Sequence, residues 1–218
     1  MLLQRPTSSS ALANSPEEGT NTSPNAASSP VEEINQICVA ALVKLARSST
    51  DCSHSLVHSL RQPLCTLSAT AARQIARHPF LLVDMKFGDA SWWLRAKSST
   101  DQPFSNRSGA GPFPRKSAVH LARMTLTFAW HGMRTDPRLT QILLGCTKPV
   151  ADAIGALRLS DIDLIAERQF SYLRTRWEDR PLFWRQLLLA AENDDQRELA
   201  RFSLRSIQLL TSELVNWR

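Results

Sequence analysis

The sequence predicts an all-α protein made of two related lobes. Three observations carry this. Apolar residues recur at spacings of three and four through most of residues 31–218, the period of a helix with one buried face. Prolines and capping residues interrupt that period often, so the helices are short. The chain also repeats itself. Leu67, Ile75-Ala76, Phe80, Leu82-Val83, Phe87 and Asp89 return ninety residues later as Leu157, Ile165-Ala166, Phe170, Tyr172-Leu173, Trp177 and Asp179. Trp92-Trp93 returns as Phe183-Trp184, one residue out of step. So many positions in one register indicate a duplicated unit.

The elements follow in order. Residues 1–30 are Ser, Asn, Ala, Thr and Pro with few large apolar side chains. They cannot bury enough surface to offset their ordering entropy, which predicts a disordered tail. The first lobe is expected over 31–96. Glu32 and Glu33 suit the positive end of a helix. Ile34, Ile37, Cys38, Ala41, Leu42 and Leu45 give it an apolar face. A second helix is expected over Asp51–Leu60 and another over Ser68–Arg77. Phe80–Phe87 reads as extended, and Asp89 caps a helix holding Trp92-Trp93. Residues 97–117 hold three prolines, two glycines, five serines and four basic residues, and read as a basic linker.

The second lobe is expected over 118–218. Its long helix, Ala118–Arg134, carries Leu121, Met124, Thr125, Phe128 and Met133 near one face. Gly132 should loosen its last turn. Asp136 and Thr147 read as N-caps, with Pro137 and Pro149 at early positions that lose no helical N–H. Ser160 and Asp163 make a weak capping box. Val150, Ile154 and Leu157 form one apolar face, and Leu159, Ile162, Ile165 and Ala166 another. Phe170–Trp177 lacks helical period and reads as extended. Asp179 and Pro181 start a further helix, broken at Asn193-Asp194-Asp195. A last helix, Gln196–Trp217, carries a stripe of Leu199, Phe202, Leu210, Leu214 and Trp217.

The second copy resembles the FlhD family, the D subunit of the bacterial flagellar master transcriptional regulator. The residues that carry the resemblance are Arg134-Thr135-Asp136, Leu144-Gly145, Ala151-Asp152, Leu157 and Leu173-Arg174-Thr175-Arg176-Trp177-Glu178-Asp179. They fall at the family's spacing without a gap, over about 118–179. The first copy matches less well: its Leu-Gly pair is absent, and Asp84 and Lys86 replace the closing arginines. Where family members often carry a cysteine before the first arginine, this chain has Leu173 and Val83. The resemblance implies a cytoplasmic regulator whose two lobes form, within one chain, the dimer that the family makes from two. It also implies a partner resembling the flagellar C subunit, through which promoter DNA is bound.

Charge is consistent with an anionic partner. The formal charge is +6, and residues 61–134 hold eleven Lys/Arg against three Asp. A basic middle is an electrostatic footprint for nucleic acid or simply a solvated surface. Arg174 and Arg176, two apart on an extended segment, would share a face beside Trp177. They could hold phosphates or a partner's carboxylates, or brace the lobe through nearby acids. Lys86, Arg115 and Lys116 complete the candidate contacts to DNA or partner. The stripe Leu199, Phe202, Leu210, Leu214 and Trp217 is core or a partner seam.

Other chemistry is not signalled. The seven glycines form no phosphate loop, and no nucleophile elbow or metalloprotease motif occurs. Asp161/Asp163 and Asp194/Asp195 sit at helix starts, where they cap. His54 and His58 are four apart, but no further metal ligands follow at a known spacing. Cys38, Cys52, Cys65 and Cys146 form no C-x-x-C pair and read as reduced thiols. No signal peptide and no membrane span is seen. The expectation is a non-enzymatic protein without a cofactor. It is either a transcriptional regulator or a protein-binding adaptor that does not touch DNA.

Overall fold

The computed structural model describes residues 29–48, 55–98 and 113–216, with side chains through Ala96 in the second stretch and Ser212 in the third. The expected tail before Ser29, the heart of the linker, His54, Cys52, the Leu214 side chain and Trp217 lie outside the described residues. The fold is all-α. Two β-bridged residues in each half are its only strands among the described residues.

The first half runs α1 (Pro30–Ser48), α2 (Ser55–Ser59), α3 (Arg61–Thr66), α4 (Ala69–Ala76), β1 (Val83–Asp84) and α5 (Ala90–Ser98). The second runs α6 (Arg115–Thr135), α7 (Pro137–Leu144), α8 (Lys148–Gly155) and α9 (Leu159–Gln169). A 3-10 turn at Phe170–Tyr172, β2 (Arg174–Thr175), α10 (Pro181–Glu192) and α11 (Gln196–Asn216) complete it.

Caps set these boundaries. Ser68 Oγ accepts from Ala71 N at the start of α4, and Asp89 Oδ1 accepts from Trp92 N at the start of α5. Asp136 accepts from Leu139 N, and Gly145 closes α7 at φ 63°, the left-handed conformation glycine adopts most readily. Asp195 Oδ1 accepts from the amides of Arg197 and Glu198 at α11. At α9 the box is shifted from the Ser160/Asp163 expected. Arg158 is the N-cap, and Asp161, at the third helical position, accepts its amide at 2.9 Å. Asp163 is thereby released to bind Arg123 across to α6 at 2.6 Å. Thr147 holds the N-cap position of α8 without a side-chain capping bond. The linker is shorter than expected. Helix α5 continues through Ser98 and α6 begins at Arg115, directly after Pro114, where the missing proline N–H costs nothing.

The duplication is visible in the packing. Buried positions of α1 and α6 correspond at a shift of 87: Val31 with Ala118, Ile34 with Leu121, Cys38 with Thr125, Val39 with Leu126, Leu42 with Ala129, Ala46 with Met133. The N-caps of α4 and α9, Ser68 and Arg158, correspond at ninety. After the strands the shift is 91. Lys86 and Trp177 are both left-handed, at φ 57° and 54°. Asp89 N donates to Lys86 O as Arg180 N donates to Trp177 O. The indoles of Trp93 and Trp184 each donate to a strand-exit carbonyl, Lys86 O at 3.0 Å and Arg176 O at 2.9 Å. The extra residue therefore enters at the turn after the strand. Asp89 has its structural counterpart in Arg180, not in Asp179 as the sequence register suggests, and Arg180 rather than Asp179 is the N-cap of α10.

The halves meet on an antiparallel strand pair with Val83 opposite Thr175 and Asp84 opposite Arg174. Arg174 lies ninety residues beyond Asp84. A two-fold axis through that pair therefore exchanges each strand with its own repeat, which is the isologous pairing of a two-chain dimer. Each half also sends its post-strand helix across: α5 packs on α8, while α10 packs on α4 and α3, and α1 packs on α6. One apolar core runs through both halves, from Ile34, Leu42 and Leu82 to Leu126, Ile154 and Trp184.

Three local expectations change. Phe170–Tyr172 is a 3-10 turn, so only Arg174 and Thr175 of that segment are strand. Leu159 is exposed, because the shifted α9 cap rotates it off the apolar face kept by Ile162, Ile165 and Ala166. Gly132 serves a close approach: a Cβ there would lie 2.4 Å from Thr140 Oγ1, so glycine lets α7 fold tightly back on α6.

Candidate functional site

The two closing arginines have different fates. Arg176 is buried, at 4% exposure. Its guanidinium donates to the carbonyls of Leu143 at 3.3 Å and Leu144 at 2.7 Å, the free C-terminal carbonyls of α7. It also lies 3.8 Å from an Asp84 carboxylate oxygen of the other half. The fork of a guanidinium suits this double duty: it satisfies the orphan end of one helix and ties it to the strand pair. Arg174 is half-exposed and pairs with Glu178 at 3.7 Å. Burial raises the Glu178 carboxyl above its usual range, and Arg174 works against that shift. Sequence reasoning placed both guanidiniums on one face and left open whether they bind a partner or brace the lobe through nearby acids; both brace it, Arg174 through Glu178 and Arg176 through Asp84. It missed that Leu144-Gly145 ends a helix beneath one of them.

Lys86, Arg115 and Lys116 are exposed. Arg115 stacks over Phe170 at 5.5 Å and Lys86 sits at the left-handed turn after β1. They remain available to an anionic partner.

The described part of the C-terminal stripe, Leu199, Phe202 and Leu210, faces inward. Phe202 and Leu210 are buried, and Leu199 packs against the core. Phe202 meets Phe183 edge-on at 5.4 Å, while Leu210 joins Phe80 and Trp177. Between Phe202 and Leu210 on the stripe sits Ser206, fully buried. Its hydroxyl donates to Phe202 O and lies 3.0 Å from His78 Nε2. His78 Nδ1 accepts from Phe80 N at 3.4 Å, which leaves Nε2 to carry the proton and donate to Ser206. The pair therefore works as a latch between α11 and the segment after α4. With its proton on Nε2, the imidazole is no base toward that hydroxyl.

The latch makes stability pH-dependent. Burial lowers the His78 pKa to about 4, with the nearby Arg176 charge acting the same way and backbone bonds opposing. Between about 6.5 and about 4 the unfolded chain takes up a proton that the folded one refuses. The stabilisation is thus complete above about 6.5 and is lost as pH falls toward 4, to the extent of about 3 kcal/mol. Urea unfolding at pH 7 and at pH 4.5 should show a smaller acid loss in His78→Gln than in the parent. Equal losses would assign acid sensitivity to other groups.

Two buried thiols are quiet. Burial pushes the pKa of Cys38 and Cys146 up to about 12, and Cys65 is also free. His58 is exposed. No group of three or more metal-ligating side chains occurs among the described residues. No described helix is long and apolar enough to cross a membrane.

A groove of about 910 Å³ lies between the halves, between the start of α5 and the α7–α8 corner. Asp89, Ala90 and Ser91 form one wall; Arg138, Ile142, Lys148 and Pro149 form the other. Ile142 is 47% exposed and Leu139, one turn earlier on α7, is 52% exposed. Hydrogen bonds from Trp92 N and the Ser91 hydroxyl hold the Asp89 carboxyl below its usual range, helped by the charges of Lys86 and Arg95. Sequence reasoning read this region only as caps. Its signal was Leu139 and Ile142, spaced by three on a short helix whose inward residues are Thr140 and Leu144. No protein-family model, no curated protein and no solved structure matches the chain.

Proposed function

We propose that this chain is a transcriptional regulator of the flagellar D-subunit type, built as an intramolecular pseudo-dimer. It acts with a partner resembling the C subunit to bind promoter DNA, and carries no enzymatic activity. The observation that supports this reading most is the isologous strand pair centred on Asp84 and Arg174. A regulator assembled from two identical chains would set like residues against each other on that axis. Here duplication has given the two positions opposite charges. Swapped pairing between two chains would bring Asp84 against Asp84 or Arg174 against Arg174, so pairing within one chain is favoured. Covalent linkage adds a high effective concentration to that preference.

DNA contact falls to the exposed cations Lys86, Arg115 and Lys116, with Arg174 at the edge. The experiment is an anisotropy titration of labelled promoter duplex by the full chain mixed with a flagellar C subunit. Salt is varied from ~50 to ~200 mM, because phosphate contacts release counterions. A ternary complex is expected whose affinity falls steeply with salt, and Lys86→Glu with Lys116→Glu should flatten that slope. Failure to form any complex with the C subunit would overturn the reading. The second reading is an adaptor that binds protein alone, and the groove between α5 and the α7–α8 corner favours it. A protein complex with no salt-dependent DNA affinity would establish that reading instead.

A further inference from the structure

We infer that the groove between α5 and the α7–α8 corner is a docking site for an acidic amphipathic helix of a partner protein. The inference goes beyond the regulator reading, since it holds whether or not DNA is bound. It begins with exposure. Leu139 and Ile142 stand three apart on α7, on one edge of the helix, and both are about half exposed. Pro149 and Ala90 continue the apolar lining across the groove. Leu94, 60% exposed, lies one turn beyond Ala90 on α5. Ile142, Pro149 and Ala90 line the groove of about 910 Å³, and Leu139 and Leu94 flank it on α7 and α5; together they fit the spaced anchors of a short helix.

The charge around the strip selects the partner's sign. Arg138 and Lys148 line the α7–α8 wall, and the charges of Lys86 and Arg95 reach the opposite wall at Asp89. The acids there are committed. Asp89 is held by Trp92 N and Ser91, and Asp152 and Lys148 neutralise each other at 2.9 and 3.0 Å. Arg138 has no ion pair among the described residues. That leaves Arg138 as the uncompensated charge on the wall, which favours a partner with carboxylates flanking its apolar face. A nucleic acid fits less well. Among the described residues that line it there is no aromatic ring on which a base could stack, and phosphates would leave Ile142 uncovered.

The test uses the full chain and labelled peptides of about four helical turns, with Leu at the spacing of one face. One peptide carries Glu on its flanks and the other carries Lys. The Glu peptide should bind at least tenfold more tightly. Arg138→Glu and Ile142→Glu should each weaken it at least tenfold while leaving the thermal unfolding midpoint unchanged, since both side chains are exposed. Equal binding of the two peptides, or no binding, overturns the proposal. So does an Ile142→Glu variant that binds normally, which would reduce the site to an ionic surface. Displacement of the Glu peptide by single-stranded DNA, in a manner sensitive to Arg138→Glu, would assign the groove to nucleic acid and overturn it as well.

Discussion

Replacing Asn35 with Ala should cost about 3–5 kcal/mol and lower the thermal unfolding midpoint by about 10 °C or more. Asn35 is fully buried on α1. Its amide nitrogen lies 3.2, 3.2 and 2.9 Å from the carbonyls of Ala76, His78 and Phe80, and its oxygen accepts from Leu82 N at 2.8 Å. These groups need an external partner because of Pro79. A residue before proline disfavours helical φ/ψ, so α4 stops at Ala76 and the chain runs on without its own ladder. The other half shows the contrast. Gln169 replaces Pro79, α9 continues to it, and a 3-10 turn lets Leu173 N reach Phe170 O. There the position equivalent to Asn35 is Ala122. The variant leaves one buried N–H and up to three carbonyls unpaired, and each orphan costs about 1–3 kcal/mol before any relaxation. Asn35→Asp should be no rescue, because its carboxylate faces three carbonyl oxygens. A loss below about 1 kcal/mol in chemical denaturation would show that the segment after Ala76 finds other partners.

That asymmetry marks what the sequence makes legible. Periodicity finds the long helices, and the ninety-residue repeat finds the duplicated unit, because both are written in side-chain type at fixed spacing. Caps at Asp136, Asp89 and Asp195 are legible for the same reason. The register change after the strands is not. It rests on left-handed backbone at Lys86 and Trp177, and neither residue type advertises a positive φ. The bracing role of Asn35 is not legible in sequence, since its partners are backbone groups more than forty residues away. The C-terminal stripe was legible as apolar, but its partner was not. Ser206 in its middle is the clue: a buried hydroxyl needs a fixed partner, and His78 supplies it across 128 residues. The groove stayed hidden because its walls come from opposite halves of the chain.

Two arginines of similar local sequence should behave unlike each other. Arg176→Met should destabilise the chain by about 3 kcal/mol, while Arg174→Met should stay within about 1 kcal/mol. Arg174 pairs with Glu178 at half exposure, where solvent weakens the attraction and ordering two long side chains offsets most of it. Arg176 is enclosed. Removing it strands the Leu143 and Leu144 carbonyls and takes from Asp84 the cation on its far side. Asp84 also receives the amides of Lys86 and Phe87, so the loss spreads into the left-handed turn after β1. Arg176→Lys should recover only part of the deficit, because a single ammonium cannot reproduce the planar fork that meets two carbonyls together. The comparison also separates structure from binding. If Arg176 were a phosphate contact, Arg176→Met would reduce DNA affinity and its salt slope without lowering stability. Bracing predicts the reverse order: unfolding at lower denaturant first, with any loss of binding following the folded fraction. Equal, small stability effects for the two variants would defeat the bracing argument and return Arg176 to the binding surface.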